Sequence, residues 1–361
     1  MGKSRFIFFT KTNWQEPPRI RHQLAQLLVN AGHEVVFFEK PNMLWQSKKA
    51  CGQQVKGMSF CRYKELLHHK LRLFGLLYLA NSIFVVNEIK KCIRRLDVKT
   101  GDIVVNFNYE YGFLRKIFPE NKLITLINDD FWSRALMGYS KPLKDALELT
   151  CASSDAVLTV SNPLVRQLSN YCEPILFLPW ADEPYRSPSA SQINQRKVLL
   201  FWGYINDRID FNFVTELADK FALSHPDIKI LFAGPVEAGN KQIAKMRLKP
   251  NMEFVGECSL DDLPLDRVLA GFMPFRRNCP NIEAGMLPNK ALKLLAKGLP
   301  LLIRGMPEFI DKPFVFRMES VDERNIVEAV ANQFNPLQSA IQNFVESNTP
   351  SQRLPAFMEL I

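Results

Sequence analysis

Two doubly wound α/β domains facing a cleft are what this sequence predicts, on three observations. Its 361 residues suffice for about two domains at roughly 150 residues each. Short β-branched or aromatic runs alternate with helical patterns, the rhythm of parallel sheets. That rhythm breaks once, at the Pro/Ser-rich stretch from Asp182 to Ser191, and then restarts. With 47% apolar and 23% charged residues, the chain is neither disordered nor polytopic in a membrane.

In the first half the strand-like runs are 5–9, 34–39, 102–107, 123–127, 156–160 and 174–178, with helical stretches at 18–31, 141–152 and 163–171. In the second half strands are expected at 197–202, 228–233, 252–255, 271–275 and 299–304. Helices are expected there at 211–224, 260–270, 288–297 and 322–333. The boundaries are therefore 1–183 for the first domain, 184–196 for a linker and 197–335 for the second domain. A helical tail, 336–361, packs back toward the first domain.

Charge is the compositional outlier. The formal net charge is +9, and residues 1–100 alone hold 18 basic and 6 acidic side chains. A one-signed region of this size points to an anionic partner, nucleic acid or an anionic membrane surface. The uncharged run Leu73–Asn87 is about 15 residues, short of the roughly 20 that cross a bilayer. It suits an amphipathic helix at an interface, with Lys90, Lys91, Arg94 and Arg95 reaching lipid phosphates; the plainer alternative is a core helix with a solvated face. Interleaved aromatics, a helix-turn-helix and a zinc pattern are missing, which disfavours nucleic acid. Phe6–Phe9 is too short for a signal-peptide core. Seven cysteines, an odd number without C-x-x-C, read as reduced cytosolic thiols, and no metal-ligand spacing is present.

Open α/β sheets bind ligands beyond the carboxyl ends of their strands. After the first strand, the segment Asn13 to Pro18 leads into a helix whose first turn brings Arg19 and Arg21. Cations there oppose the helix dipole unless an external phosphate or carboxylate sits between; solvated arginines are the alternative. Asn128-Asp129-Asp130 ends an apolar run, with Asp129 as the expected base and Asp130 as a cap. In the second half, Gly203 permits close backbone approach to a ligand and Arg208 can pair with phosphate oxygens. Met286-Leu-Pro-Asn-Lys290 through Gly298 brackets a short helix: Pro288 is expected at its first position, Gly298 just past its end, and Lys290 beside its free amides. Lys293 and Lys297 would share that face. Neither G-x-G-x-x-G nor a Walker motif is present.

Together, Asn13 to Arg19, "LAQLLVNAGHEVVFFEKP", "INDDF", "SDAVLTVSNPLVRQL", "WGYINDRIDFNFVTELA", "MEFVGE" and "FMPFRRN…LPNKALKLLAKGLPLL" resemble GT-B-fold glycosyltransferases of two Rossmann-like domains. The closest likeness is to bacterial family 4-like enzymes of capsule, teichuronic acid and exopolysaccharide assembly. The resemblance implies sugar transfer from a nucleotide sugar to a lipid-linked or polysaccharide acceptor, on the cytoplasmic membrane face and with no metal or other cofactor. It implies that the first domain takes the acceptor, with Asp129 near the reacting hydroxyl; Asn13 and Arg19 are candidates for acceptor or phosphate contact there. Gly203, Arg208, Asn289 and Lys290 would hold the donor. The family's Glu-x7-Glu pair is replaced here by Gly285 and Lys293, with Glu283 two residues out of register. That leaves a non-catalytic scaffold and a nucleotide-sugar 2-epimerase-like isomerase as alternatives, and inversion or retention open.

Overall fold

The computed structural model describes residues 2–46, 55–68, 71–130, 140–188, 193, 195–239, 241–318 and 323–361. The chain forms two compact units, Met1–Leu178 with Arg353–Ile361, and Pro179–Gln352.

Unit 1 runs β1 (Arg5–Phe9), α1 (Ile20–Asn30), β2 (Glu34–Phe38), a two-residue β3 (Asn42–Met43), β4 (Met58–Cys61), a two-residue β5 (Lys64–Glu65), α2 (Gly75–Leu96), β6 (Ile103–Asn106), α3 (Leu114–Ile117), β7 (Leu123–Ile127), α4 (Lys141–Ser153), β8 (Ala156–Thr159), α5 (Asn162–Leu168) and β9 (Pro174–Leu176). Seven strands form one sheet in the order β4-β2-β1-β6-β7-β8-β9, every pairing parallel. Phe6 to Phe9 are wholly buried, as are Val104, Val105, Ile124 and Leu126. Parallel strands are covered on both faces, which is why they read as unbroken apolar runs.

β4 escapes the sequence pattern because it is an edge strand, half-buried and paired only with β2. α2 outruns its apolar segment: Asn81, Val85, Ile89 and Cys92 make its buried face, and it continues through the basic residues until Asp97 adopts φ 48°. Its start is tied to the sheet's carboxyl edge by a buried ionic cluster. Glu110 pairs with Lys11, and with Arg72 at 2.8 Å; Arg72 also lies 3.4 Å from Glu65. The Tyr78 hydroxyl donates to the Glu110 carbonyl oxygen at 2.9 Å. Burial opposes the charge on Glu110, but Lys11 and Arg72 outweigh it and hold the carboxyl below its ordinary range.

Unit 2 runs β10 (Val198–Trp202), α6 (Phe211–Ser224), β11 (Lys229–Ala233), α7 (Lys241–Met246), β12 (Met252–Val255), β13 (Val268–Pro274), α8 (Pro280–Glu283), α9 (Asn289–Ala296), β14 (Leu301–Arg304), β15 (Val315–Arg317), α10 (Glu323–Gln333) and α11 (Gln338–Glu346). Its sheet, β12-β11-β10-β13-β14-β15, is also parallel throughout. The helix expected over 260–270 does not form. Pro264 interrupts it, leaving two single 3-10 turns, Leu260–Asp262 and Leu265–Arg267, and Val268–Ala270 already belongs to β13.

α9 is bracketed close to expectation, with Pro288 as its N-cap rather than its first residue. Gly298 at φ 71° follows its end. The Gly298 amide donates to the Leu295 carbonyl and the Leu299 amide to that of Leu294, the paired bonds of a Schellman stop. The stretch read as a linker is fastened to this end of α9. The Arg186 amide donates to the Ala296 carbonyl at 2.7 Å, and Lys297 pairs with Glu183 and Asp261, each at 2.6 Å. Lys297 is thus a buried pin rather than part of a solvated lysine face.

The last helix, α12 (Pro350–Met358), carries Phe357, which is fully buried in unit 1 against Phe6 and Phe177 at 6.2 and 6.0 Å between ring centroids. Phe357→Ala is expected to destabilise unit 1 by about 3–5 kcal/mol, read as an earlier urea midpoint for that unit. An unchanged midpoint would show that the tail contributes no packing there.

Candidate functional site

In both sheets the strand order reverses direction around the first strand of the unit, between β1 and β6 and between β10 and β13. Connections leave such a point on opposite sides and open a crevice at the carboxyl ends. Asn13 and Arg19 follow β1 and Gly203 and Arg208 follow β10, beside these two points, whereas Asp129 follows β7 and Lys90, Lys91, Arg94 and Arg95 lie on α2.

In unit 2, β10 ends at Trp202 and turns through Gly203 at φ 137°. Gly234, at the end of β11, has φ 143°, and a Cβ there would lie 2.1 Å from the Gly203 carbonyl oxygen. Two backbones therefore touch where side chains would otherwise stand. Beyond them the chain returns to the sheet edge: the Arg276 amide donates to the Arg208 carbonyl at 2.9 Å, which fixes Arg208 beside the end of β13. Asp210 caps α6 through the Phe213 amide and also accepts from Arg304 Nε at 3.2 Å, so its carboxylate is spoken for.

Lys290 enters this crevice from the first turn of α9. A Cβ on Gly203 would lie 3.8 Å from its ammonium, which stands over the rings of Phe275 and Phe201 at 4.4 and 4.8 Å. Burial, aided by repulsion from Arg208, pushes the Lys290 pKa down to about 7. Among the described residues neither Lys290 nor Arg208 has a carboxylate partner. Two convergent cations beside a helix start can hold an oxyanion. Asn289 is the first residue of that helix. The Glu-x7-Glu positions hold no carboxylate in space either: a Cβ on Gly285 would meet Met306 Cε at 2.8 Å, and Lys293 lies over the Trp202 ring at 5.5 Å. Glu283 lines a neighbouring cleft of about 190 Å³ with Arg277, Arg304 and Arg317. The Arg317 guanidinium donates to the Met306 and Phe309 carbonyls, so it builds the wall.

In unit 1, the β1–α1 loop is held by His22. Its Nδ1 accepts from the Arg19 amide and its Nε2 donates to the Asn13 carbonyl, both at 3.1 Å, the bonding of a neutral imidazole. Burial keeps its pKa low in spite of that carbonyl. Asn13 thus serves through its backbone, while Arg19 is exposed and only loosely paired with Glu16 at 3.8 Å. Asp129, half-buried, follows β7; Asp130 is buried and accepts from Gln167 at 3.5 Å. The residues that Asp130 was expected to cap, 131–139, lie outside the described ones.

Sequence reasoning ranked Arg21 beside Arg19, whereas the structure sets it apart. Arg21 is 4% exposed, its guanidinium 5.9 Å from the Phe107 ring centroid at the end of β6. Burial pulls its pKa down to about 10, with Arg19 repelling it and Glu16 and Asp129 attracting it. Only the position in a helix's first turn signalled it. Lys90, Lys91, Arg94 and Arg95 are exposed on the second half of α2, with Lys91 paired to Glu88. The same outer side of the first half exposes Leu76 (84%), Leu79 and Ile83. No described helix is long and apolar enough to cross a membrane.

No protein-family model matches the sequence, and no curated protein is similar to it by sequence. Solved structures are similar to it over the whole chain. A trehalose-phosphate synthase (UDP-forming) from Burkholderia vietnamiensis superposes with a TM-score of 0.69 at 10% identity, covering 100% of this chain and 97% of its own. The lipopolysaccharide outer core galactosyltransferase WaaB gives 0.65 at 12% identity and 99% of both chains. HepE from Anabaena, in complex with UDP and glucose, gives 0.64 at 10% identity and 100% of both. At these identities the likeness establishes the fold, two Rossmann-like units of the GT-B kind.

The depressed Lys290 pKa carries a stability consequence. Between pH 7 and about 10.4 the unfolded chain holds a proton at this site that the folded chain has released. Stability therefore rises with pH across that window, and the burden of Lys290 is fully present below pH 7. Lys290→Met is expected to unfold about 2–4 °C above the wild type at pH 6, with the gap narrowing toward pH 10. Calorimetry at both pH values checks this, and a variant that melts lower at pH 6 would make Lys290 a structural residue.

Proposed function

We propose that the protein is a glycosyltransferase that moves a sugar from a nucleotide-sugar donor to a saccharide or lipid-linked acceptor, with unit 2 taking the donor and unit 1 the acceptor. The observation that carries this reading is Lys290: a desolvated ammonium with no carboxylate partner among the described residues, convergent with Arg208 and a helix start on a close-approach glycine. The similar structures add weight. HepE holds UDP and glucose, and WaaB is a lipopolysaccharide outer core galactosyltransferase.

The chemistry asks little covalent participation of the protein. When the anomeric carbon–oxygen bond breaks, negative charge develops on the departing nucleotide diphosphate. Lys290, Arg208 and the α9 amides stand ready to stabilise it without reorganising, the electrostatic part of catalysis. Donor binding also returns Lys290 to its charged form, since an adjacent diphosphate favours the ammonium. Asp129 takes the proton of the attacking hydroxyl in this scheme.

Membrane location rests on α2. Leu76, Leu79 and Ile83 give its outer side an apolar start, and Lys90, Lys91, Arg94 and Arg95 give it a basic finish. Such a helix suits the surface of an anionic bilayer, at the inner face of the plasma membrane where lipid-linked acceptors are presented.

Calorimetric titration with UDP and GDP tests the donor half. The wild type is expected to bind one of them in the micromolar to millimolar range, Lys290→Met neither, and Asp129→Asn as the wild type does. Transfer to a polyprenyl-diphosphate-linked saccharide should fall by two orders of magnitude or more in Asp129→Asn. Binding of neither nucleotide by the wild type would sink the transferase reading, and full activity of Asp129→Asn would remove the base. In sedimentation with phosphatidylglycerol vesicles, neutralising Lys90, Lys91, Arg94 and Arg95 to Gln should weaken binding at least tenfold, from about 1 kcal/mol per basic residue. Equal sedimentation of the two proteins would dismiss the membrane contact.

A further inference from the structure

Unit 1 carries a buried cation that the donor chemistry does not use. Arg21 lies at the reversal point of its sheet as Lys290 lies at that of unit 2: the one over Phe107 at the end of β6, the other over Phe201 and Phe275 at the ends of β10 and β13. Arg21 is 4% exposed, its Nε is buried without an acceptor, and among the described residues no carboxylate reaches ion-pair distance of it. A buried guanidinium with its Nε left unpaired lowers the stability of the free protein, because the water that Nε gave up is not replaced by an acceptor.

Other orphaned polar groups lie on the same edge of the sheet. Thr12 Oγ1, Asn108 Nδ2, Asn128 Oδ1 and Thr159 Oγ1 are also buried without partners. They follow or end β1, β6, β7 and β8, four consecutive strands of the sheet, so they share its carboxyl edge. Buried polar groups in folded proteins are nearly all paired, and four orphans on one edge mark a place that a polar ligand completes. α1, eleven residues long, begins here, and the Ile20 and Arg21 amides have no acceptor among the described residues. Two guanidinium groups, Arg19 and Arg21, sit close enough to repel. Glu16 and Asp129 offset part of that charge without pairing with Arg21, and the fork of a guanidinium beside free helix amides suits the several oxygens of a phosphate.

We infer that Arg21, with Arg19 and the first amides of α1, binds a phosphate or diphosphate group of the second substrate, so that the acceptor is a phosphate ester. The inference rests on the transferase reading for the word acceptor, while the anion site itself stands on unit 1 alone. Asp129 attracts Arg21 from beyond contact, which sets the hydroxyl to be deprotonated and the anchoring phosphate at separate points of one acceptor.

The experiment uses the full chain. In a Lys290→Met background, which removes the anion site of unit 2, inorganic pyrophosphate is titrated calorimetrically with and without Arg21→Met. Saturable binding that weakens at least tenfold on Arg21→Met, and partly returns in Arg21→Lys, is the expected result. Without ligand, Arg21→Met should melt above its parent, since an unpaired buried charge is removed. A lower melting temperature would make Arg21 structural, and pyrophosphate binding that is absent, or indifferent to residue 21, would overturn the site. The source of the phosphate is read from UDP binding in the Lys290 wild-type background. An unchanged Kd in Arg21→Met assigns the anion to the acceptor, whereas a tenfold loss assigns it to the donor and overturns the inference. Failure of the wild type to bind any nucleotide would defeat the transferase reading separately, since the pyrophosphate titration does not depend on it.

Discussion

Each sheet begins in its middle. β1 and β10 are laid down first, later strands are added on both sides of them, and the crossover connections diverge from that line. Parallel strands must also be covered on both faces, which leaves the carboxyl edge at the divergence as an opening in each sheet. Two clusters follow from that constraint: Gly203, Lys290 and Arg208 crowd the opening in unit 2, and Arg21 and Phe107 crowd the one in unit 1.

What fills the two openings is alike. Each holds a cation beside aromatic side chains, with no carboxylate at ion-pair distance among the described residues. The contrast with other buried charges in the same chain is instructive. Lys297 has Glu183 and Asp261, and Arg72 has Glu110 and Glu65, and those side chains hold segments together. The fold thus distinguishes cations that fasten the chain to itself from cations kept unpaired at an edge. A ring face tolerates a cation through its quadrupole without competing for the hydrogen bonds an oxyanion would take.

The strands were legible because runs such as Phe6–Phe9 and Leu123–Ile127 are apolar without interruption, and a sheet covered on both faces demands that. Lys290 was legible because Pro288 and Gly298 bracket its helix with local signals. Where tertiary context decides, local signals failed. β4 is an edge strand whose pairing with β2 gives Met58–Cys61 no distinctive pattern, and the apolar periodicity of 260–270 outweighed the meaning of Pro264. Arg19 and Arg21 look equivalent in sequence. Only Phe107, brought over from the end of β6, shows that one of them is a surface residue and the other is not.

The contact between Gly203 and Gly234 has a bearing on how this sequence can drift. Side-chain packing is negotiable, since a larger residue at one position can be met by a smaller one at its neighbour. Here the meeting is backbone against backbone, and neither partner has anything left to shrink. A change at Gly234 would have to move the β10 turn itself, and with it the floor under Lys290. The two positions are held for different reasons, Gly234 by the space that the Gly203 carbonyl occupies and Gly203 by a φ of 137° that other residues rarely adopt.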